Sequence, residues 1–333
     1  MVGSATVDLM IHYSDPPILL RDVIEDVGDV VQLLERNAPY TPLGGWYRPG
    51  ADLDAPTSPM WFQNDWVHAG LRVEGSELFL FHERVTQAAR DFYDAEVVVP
   101  HSVYVNLMAA MGRSGPAHTD NPRFHGRDRS NTPMWLLRAM LCSDLFDRYA
   151  IVQATSIWWM NDVEGGGLCY WPDGPDKPPH EHVGDMANTA LVGDNHGMFH
   201  QVGPVGPFDQ GTRLVTPRAE LAPMADGRGE WAVTDRSEIR YRAPLEQYRV
   251  SVLWKADVYR SQADQRRQMA DTLSIPDVAR IFDGDLEEKG VDVRFDLDRI
   301  EDPGLIAAVN AVYPEAVPVG KTPSIFDVSE SIA

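Results

Sequence analysis

The sequence predicts a mainly β fold, an antiparallel sandwich or barrel with helices packed on its outside. The first observation is the order of the segments, because helix-like stretches at both ends enclose a block of about eight strand-like stretches. The second is that turns rich in Gly and Pro separate many of these strands. Strands grouped in this way, rather than alternating with helices, form antiparallel sheets.

The length and composition of the chain indicate one large domain. It has 333 residues, of which 44% are hydrophobic, so it can bury a substantial core. We expect residues 1–95 to form N-terminal helices and a loop that pack on the core, and residues 96–258 to form the core itself. Residues 259–333 are expected to form a C-terminal helical extension.

The N-terminal part contains two segments with apolar side chains near helical spacing, at residues 21–37 and at about 76–94. This spacing predicts two amphipathic helices. Residues 38–75 lie between them and are rich in Pro, Gly and Trp, so we expect a long ordered loop there.

Strand-like segments begin at residues 96–108 (EVVVPHSVYVNLM), where β-branched residues alternate with others. Residues 133–148 fit either a helix or a buried strand, and a helix is favoured. Residues 261–290 and 303–312 are expected to be helical. The further strands are expected at residues 150–161, 168–172, 188–194, 199–205, 239–243 and 248–259.

The charge balance disfavours whole classes of partner. The net charge is −21, from 29 basic and 50 acidic residues, and such a surface repels nucleic acids and anionic lipids. The two cysteines are too few for a disulfide framework, and no secretory signal or membrane-spanning stretch is evident. We therefore expect a cytoplasmic protein that acts on a small molecule and binds neither nucleic acid nor a membrane; its oligomeric state is open.

A candidate metal site begins with the motif His118-Thr119-Asp120. Side chains two residues apart on a strand share a face, so this imidazole and carboxylate can converge on one ion. Two histidines and one carboxylate, with the remaining positions open, are the ligand set of non-haem Fe(II) oxygenases. The third ligand is expected to be His200, which lies in a strand-like segment. His196 is the main alternative, and His180 and His182 lie in a polar loop.

Four motifs in order resemble the 2-oxoglutarate/Fe(II)-dependent dioxygenases. The HxD is the first, and Gly165–Gly174 (GGGLCYWPDG) is similar to the GGxLxxWPDG hairpin of several members. The segment His200–Val205 (HQVGPV) is similar to the strand with the distal histidine, and Arg249-Val250-Ser251 is similar to the RxS of the last core strand. The resemblance covers about residues 96–258 and implies a double-stranded β-helix, or jelly roll.

The resemblance also implies the roles of further residues. Fe(II) would be held by His118, Asp120 and His200, and 2-oxoglutarate, the co-substrate, would bind Arg249 and Ser251. Tyr104 and Asn106 are further candidates for binding it. In many members the basic residue follows the distal histidine closely, so either an insertion lies near residues 206–236 or the anchor is instead Arg213 or Arg218.

The expected reaction is the oxidation of a small molecule by O2, with release of succinate and CO2. Family halogenases replace the acid of the HxD with a small residue, so Asp120 favours hydroxylation, desaturation or ring formation over halogenation. Candidate substrate-binding residues are Arg123, Trp158 and Trp159. The alternatives are a cupin-like metal enzyme without 2-oxoglutarate (an isomerase or a ring-cleaving dioxygenase) and a jelly-roll binding module without activity.

Overall fold

The structure, a computed structural model, describes residues 15–42, 61–206, 214–225 and 228–325 together with Asp54. Its strands are β1 (Ile18–Arg21), β2 (Thr41–Pro42), β3 (Phe62–His68), β4 (Leu71–Arg72), β5 (Val97–Met108), β6 (Gln153–Trp159), β7 (Leu168–Trp171), β8 (His180–His182), β9 (Thr189–Gly193), β10 (Phe199–Val202), β11 (Glu220–Pro223), β12 (Glu230–Asp235), β13 (Glu238–Pro244) and β14 (Arg249–Tyr259). Its α-helices are α1 (Val27–Arg36), α2 (Glu77–Leu80), α3 (Glu83–Tyr93), α4 (Met134–Ser143), α5 (Gln262–Ala270), α6 (Ile275–Glu288) and α7 (Pro303–Val312).

Two antiparallel sheets form the core. The larger sheet has the order β1-β9-β6-β14-β5-β3-β2, with β4 added to β3, and the smaller sheet has the order β10-β7-β8. Along the chain, β5, β6, β9 and β14 belong to the larger sheet, while β7, β8 and β10 belong to the smaller one. This crossing of the chain between two sheets is the jelly-roll arrangement. The prediction of a mainly β core with flanking helices is therefore confirmed.

The larger sheet has two buried faces. Its inner face packs against the smaller sheet through a cluster that includes Met108, Ile157, Trp159, Leu168 and Val202. Its outer face is covered by the N-terminal helices in a second and larger cluster. Side chains that are adjacent on a strand point to opposite faces, and each therefore enters a different core.

A third sheet, with the order β11-β12-β13, lies in the chain between β10 and β14. It occupies the part of the sequence in which an insertion is expected around residues 206–236. Within that range, residues 207–213 and 226–227 lie outside the described residues.

Helices α6 and α7 form a separate apolar cluster with α4, which confirms that residues 133–148 contain a helix. The chain then crosses the smaller sheet. Trp171 Nε1 donates to the Val319 carbonyl at 2.7 Å, and the Ile325 amide donates to the Ser114 carbonyl at 3.0 Å. No helix among the described residues is long and apolar enough to cross a bilayer.

The structure corrects three expectations. The expected loop at residues 38–75 contains β2, β3 and β4, while residues 43–53 and 55–60 lie outside the described part. The second expected helix is two helices, α2 and α3, because the ring of His82 accepts from the Val85 amide and begins α3. The polar loop at His180 and His182 is the short strand β8, which pairs with β7.

The adjacent Trp158 and Trp159 lie on opposite faces of the larger sheet. Trp158 is fully buried on the outer face, where its ring centroid is 5.1 Å from that of Phe79 and 4.9 Å from that of His82. Trp159 lies on the inner face, in the cluster shared with the smaller sheet. The expectation that Trp158 lines a substrate pocket is therefore wrong, because this side chain packs under the helices.

Trp158→Ala should destabilise the fold, because it empties a buried aromatic site. We expect the free energy of unfolding, measured by denaturant titration, to fall by about 3–5 kcal/mol. Met269→Ala is the control, since Met269 is 61% exposed on α5, and its effect should stay within about 0.5 kcal/mol. Equal effects of the two substitutions would contradict the packing described for Trp158.

Candidate metal centre

Three potential ligands meet between the two sheets. One ligand atom from each of His118, Asp120 and His200 lies within 4.8 Å of the others, and this is the only such cluster among the described residues. The two imidazole centroids are 4.4 Å apart, and Asp120 Oδ1 is 3.9 Å from His200 Nε2. An antiparallel bridge of the backbones at 118 and 200 brings the two histidines together. The ligand set expected from the sequence is therefore assembled in space.

Backbone carbonyls orient both imidazoles. Nδ1 of His118 lies 2.9 Å from the Pro116 carbonyl, and Nδ1 of His200 lies 3.2 Å from the Met198 carbonyl. Because a carbonyl can only accept, each Nδ1 carries the proton and each Nε2 keeps a free lone pair. Burial lowers the pKa of His118 to about 4 and lowers that of His200 too, so both rings are neutral at physiological pH. A neutral imidazole held in this way suits a metal ion.

The carboxylate of Asp120 has a cation beside it. Lys255 Nζ lies 2.9 Å from Asp120 Oδ2, and the Thr155 hydroxyl donates to the same oxygen at 3.4 Å. Burial raises the pKa of Asp120, but the Lys255 ammonium and the neighbouring histidines together outweigh burial and hold this pKa below its usual value. Asp120 is therefore ionised, as a metal ligand must be.

The other candidate histidines lie outside the cluster. His196 Nε2 lies 3.1 Å from the Asn121 carbonyl, and its ring is not part of the cluster. His180 is 43% exposed and pairs with Asp173 on the surface. His182 packs its ring 4.9 Å from that of Trp159. The geometry favours His200 as the third ligand.

A buried arginine lies elsewhere on the inner face, at the beginning of β14. Arg249 is 2% exposed; its Nε donates to the Gly166 carbonyl at 2.8 Å and its Nη1 donates to the Ser251 hydroxyl at 3.0 Å. Nη2 has no hydrogen-bond partner, and burial lowers the pKa of Arg249 to about 9. A buried cation with an unused donor is costly unless an anion fills the space beside it.

Gly166 makes room for this guanidinium. Its φ of +68° is favourable for glycine, and an added Cβ would lie 3.0 Å from Arg249 Cδ. The hairpin that carries Gly166 also pairs with the strand of His200, since His200 is opposite Tyr170.

Other polar atoms near Arg249 are also buried without a partner. They are Asn106 Oδ1, Trp159 Nε1 and His182 Nε2. Asn106 is opposite Ser251 in the β5–β14 register, and the Arg249 Cζ is 5.5 Å from the Trp159 ring centroid. Native proteins rarely leave several such atoms unpaired in one place. Their grouping indicates that a polar ligand binds there.

The remaining predicted residues fall in different places. Tyr104 lies two residues before Asn106 on β5, opposite Leu253, and burial raises its pKa well above 10. Arg123 donates to Asp257 at 2.6 Å, so its charge is already paired. Arg218 is 57% exposed and pairs with Asp54, which does not suit a buried anchor, and Arg213 lies outside the described residues.

Sequence reasoning missed Lys255 and Thr155, the two residues that hold the outer oxygen of Asp120. A signal for Lys255 was present, because residues 249, 251, 253 and 255 alternate on one face of the same strand. A lysine on the inward face of an otherwise apolar strand requires a buried partner. For Thr155 we find no comparable signal, since a threonine in a strand is ordinary.

The fold and the site together define a jelly roll with a two-histidine, one-carboxylate cluster. No family model and no curated protein sequence matches the chain. Among solved structures, similar chains include a Burkholderia pseudomallei oxidoreductase of the 2OG-Fe(II) oxygenase family, with 11% identity, 74% of this chain and 86% of that chain covered and a TM-score of 0.38. A Pseudomonas putida prolyl-4-hydroxylase has 12% identity, 76% and 96% coverage and a TM-score of 0.35.

A third similar structure is the non-heme alpha-ketoglutarate-dependent epimerase SnoN from nogalamycin biosynthesis. It has 11% identity, covers 73% of this chain and 77% of its own, and has a TM-score of 0.41. At such distances the likenesses assign neither a reaction nor a substrate. The chemistry proposed below therefore rests on the residues of the site.

His200→Ala should remove tight metal binding, because it deletes a ligand atom. In anaerobic titrations with Co(II), we expect the affinity to fall by roughly 100-fold or more. Loss of a residue that only hydrogen-bonds to a metal ligand typically lowers the affinity by about 10–100-fold. His196→Ala should cost less than about 10-fold. The reverse ranking would make His196 the ligand and contradict the assignment.

Metal affinity should be almost independent of pH from about pH 8 to about pH 6. Protons compete with the metal for Nε2 of His118 only when the pH approaches the pKa of this histidine, which burial lowers to about 4. Anaerobic titrations at a series of pH values measure this directly. A loss of affinity that begins at about pH 6.5, the ordinary histidine pKa, would show that the rings are solvated and not held as described.

Proposed function

We propose that this protein is an Fe(II)- and 2-oxoglutarate-dependent oxygenase that oxidises a small molecule. The observation that carries the proposal is the buried Arg249, with a free donor, on the inner face of β14, the face from which Lys255 contacts Asp120 of the His118, Asp120 and His200 cluster. A metal cluster alone fits many enzymes. A metal cluster together with a buried and unpaired guanidinium fits a co-substrate that chelates the metal at one end and carries a carboxylate at the other.

The donor set fits both groups. Two neutral imidazoles and one ionised carboxylate are suitable ligands for Fe(II), and they leave coordination positions open. When bound, Fe(II) with 2-oxoglutarate supplies the activation of O2 and couples substrate oxidation to the formation of succinate and CO2. The protein contributes binding, orientation and exclusion of water.

Different residues of the chain would bind the co-substrate and exclude water. Arg249 and Ser251 would pair with the far carboxylate of the co-substrate, and Asn106 and Trp159 offer unpaired polar atoms beside it. Apolar side chains from both sheets, such as Ile157, close the space around them and keep water out. In such an environment a charge-assisted hydrogen bond is stronger than it is in water.

Hydroxylation is the reaction that we propose, with desaturation or ring formation as other outcomes of the same chemistry. The net charge of −21 disfavours nucleic acid as a substrate, so a small molecule is favoured. Trp159 lies on the inner face with its ring centroid 5.5 Å from the Arg249 Cζ, which supports a role beside the co-substrate rather than the substrate. Arg123 stays a weaker candidate for substrate binding, because Asp257 already pairs with its charge.

The first test is anaerobic reconstitution with Fe(II) and 2-oxoglutarate. A weak visible charge-transfer band is expected from a co-substrate that chelates the iron, and its growth with concentration gives the affinity. Arg249→Gln should weaken 2-oxoglutarate binding by roughly 30-fold or more, about 2 kcal/mol, because it removes the buried cation. The affinity for the metal should stay close to that of the wild type.

Arg218→Gln is the matched control, since it removes an exposed arginine by the same substitution. We expect no change in either affinity. A wild-type protein that binds iron but gives no band would exclude 2-oxoglutarate and favour a cupin-like metal enzyme. An unchanged band in Arg249→Gln would show that the anchor lies elsewhere. Succinate formation from labelled 2-oxoglutarate, lost in Asp120→Ala, would exclude a binding module without activity.

A further inference from the structure

We propose that Lys255 is a positioning residue that restricts Asp120 to one metal-binding oxygen and weakens the attraction of the site for the bare metal ion. The inference rests on the proposed metal site but concerns a residue to which neither the sequence motifs nor the family resemblance assigns a role. It starts from the contact between Lys255 Nζ and Asp120 Oδ2, at 2.9 Å, on the inner face of β14.

The two oxygens of Asp120 have different surroundings. Oδ2 accepts from Lys255 and from the Thr155 hydroxyl, whereas Oδ1 lies toward His200, 3.9 Å from its Nε2. The Lys255 and Asp120 side chains are only 15% and 13% exposed. Turning Oδ2 toward a metal would leave the Lys255 ammonium almost buried without its counter-charge, which is strongly unfavourable. Oδ1 is therefore the oxygen that remains available.

One consequence concerns the number of open positions. Three protein atoms, one each from His118, Asp120 and His200, leave three positions of an octahedral ion for other ligands. A carboxylate that used both oxygens would leave only two. A chelating co-substrate and O2 would together need three, so the contact of Lys255 with Asp120 would keep the third position open.

A second consequence concerns charge. The neutral imidazoles and the Asp120 carboxylate carry one negative charge, and the Lys255 ammonium cancels it. The site therefore attracts a divalent ion only weakly through its net charge. It also repels an anionic chelating ligand less than a site without the Lys255 ammonium would. This predicts that removal of the charge of Lys255 strengthens the binding of the metal alone. A residue that merely supported the fold would have the opposite effect.

The test uses Mn(II) in the full-length protein, with its affinity and the number of its bound waters measured by water-proton relaxation. In Lys255→Met we expect Mn(II) affinity higher than that of the wild type and relaxation enhancement lower by about one third, as three waters become two. Lys255→Arg should restore the wild-type water number, because it keeps a cationic donor. Lys289→Met is the matched control, since Lys289 is 46% exposed and pairs with Asp285 at the end of α6.

Unchanged or weaker Mn(II) binding in Lys255→Met, or an unchanged number of bound waters, would overturn the proposal and leave Lys255 with a structural role only. If Lys255→Met does not fold, the Mn(II) affinity of Lys255→Gln is the test of the proposal. This substitution removes the charge but keeps a donor, so tighter Mn(II) binding is expected, and unchanged or weaker binding overturns the proposal. If wild-type protein binds Mn(II) no better than His118→Ala, the metal site itself is wrong and the inference falls with it.

Discussion

The centre of this protein depends on the pairing of two backbone segments that are far apart in sequence. The segment of His118 and Asp120 is joined to the segment of His200 by hydrogen bonds from Gly115 to Val202, in both directions between His118 and His200, and from Asp120 to Asn195. Backbone pairing fixes side-chain positions more firmly than side-chain contacts do, because few dihedral angles remain free. The candidate metal ligands are thus preorganised by the same bonds that connect the strands.

Strand β14 orders the functional groups along one line. Its inward-facing positions present Arg249 and Ser251 at one end and Lys255 farther along, beside Asp120. Because alternate residues of a strand share a face, one strand holds both the proposed anchor for the co-substrate and the cation that holds a metal ligand. A shift of this strand by one residue would turn all three side chains into the outer core.

The two buried cations of the site differ in the partners that surround their charges. Lys255 has a permanent carboxylate partner, whereas the Arg249 guanidinium has neutral partners and one donor without any. In an acidic protein a paired cation contributes to structure at modest cost, but an unpaired buried one is retained at the expense of stability. Such a cost is typical of sites that are completed by a ligand.

The sequence by itself determined the class of fold, the HxD pair and the candidate third ligand, because alternation along strands and short motifs are local properties. It also placed Arg249 and Ser251 on one face. Residues 38–75 were mispredicted as a loop, since strand β3 takes its conformation from pairing with β5 and not from its own pattern. The tertiary structure, and not the sequence, favours His200 over His196, puts Trp158 in the outer core and brings Lys255 and Thr155 to Asp120. These choices depend on which strands become neighbours, and contacts between residues so distant in the chain leave little trace in local sequence.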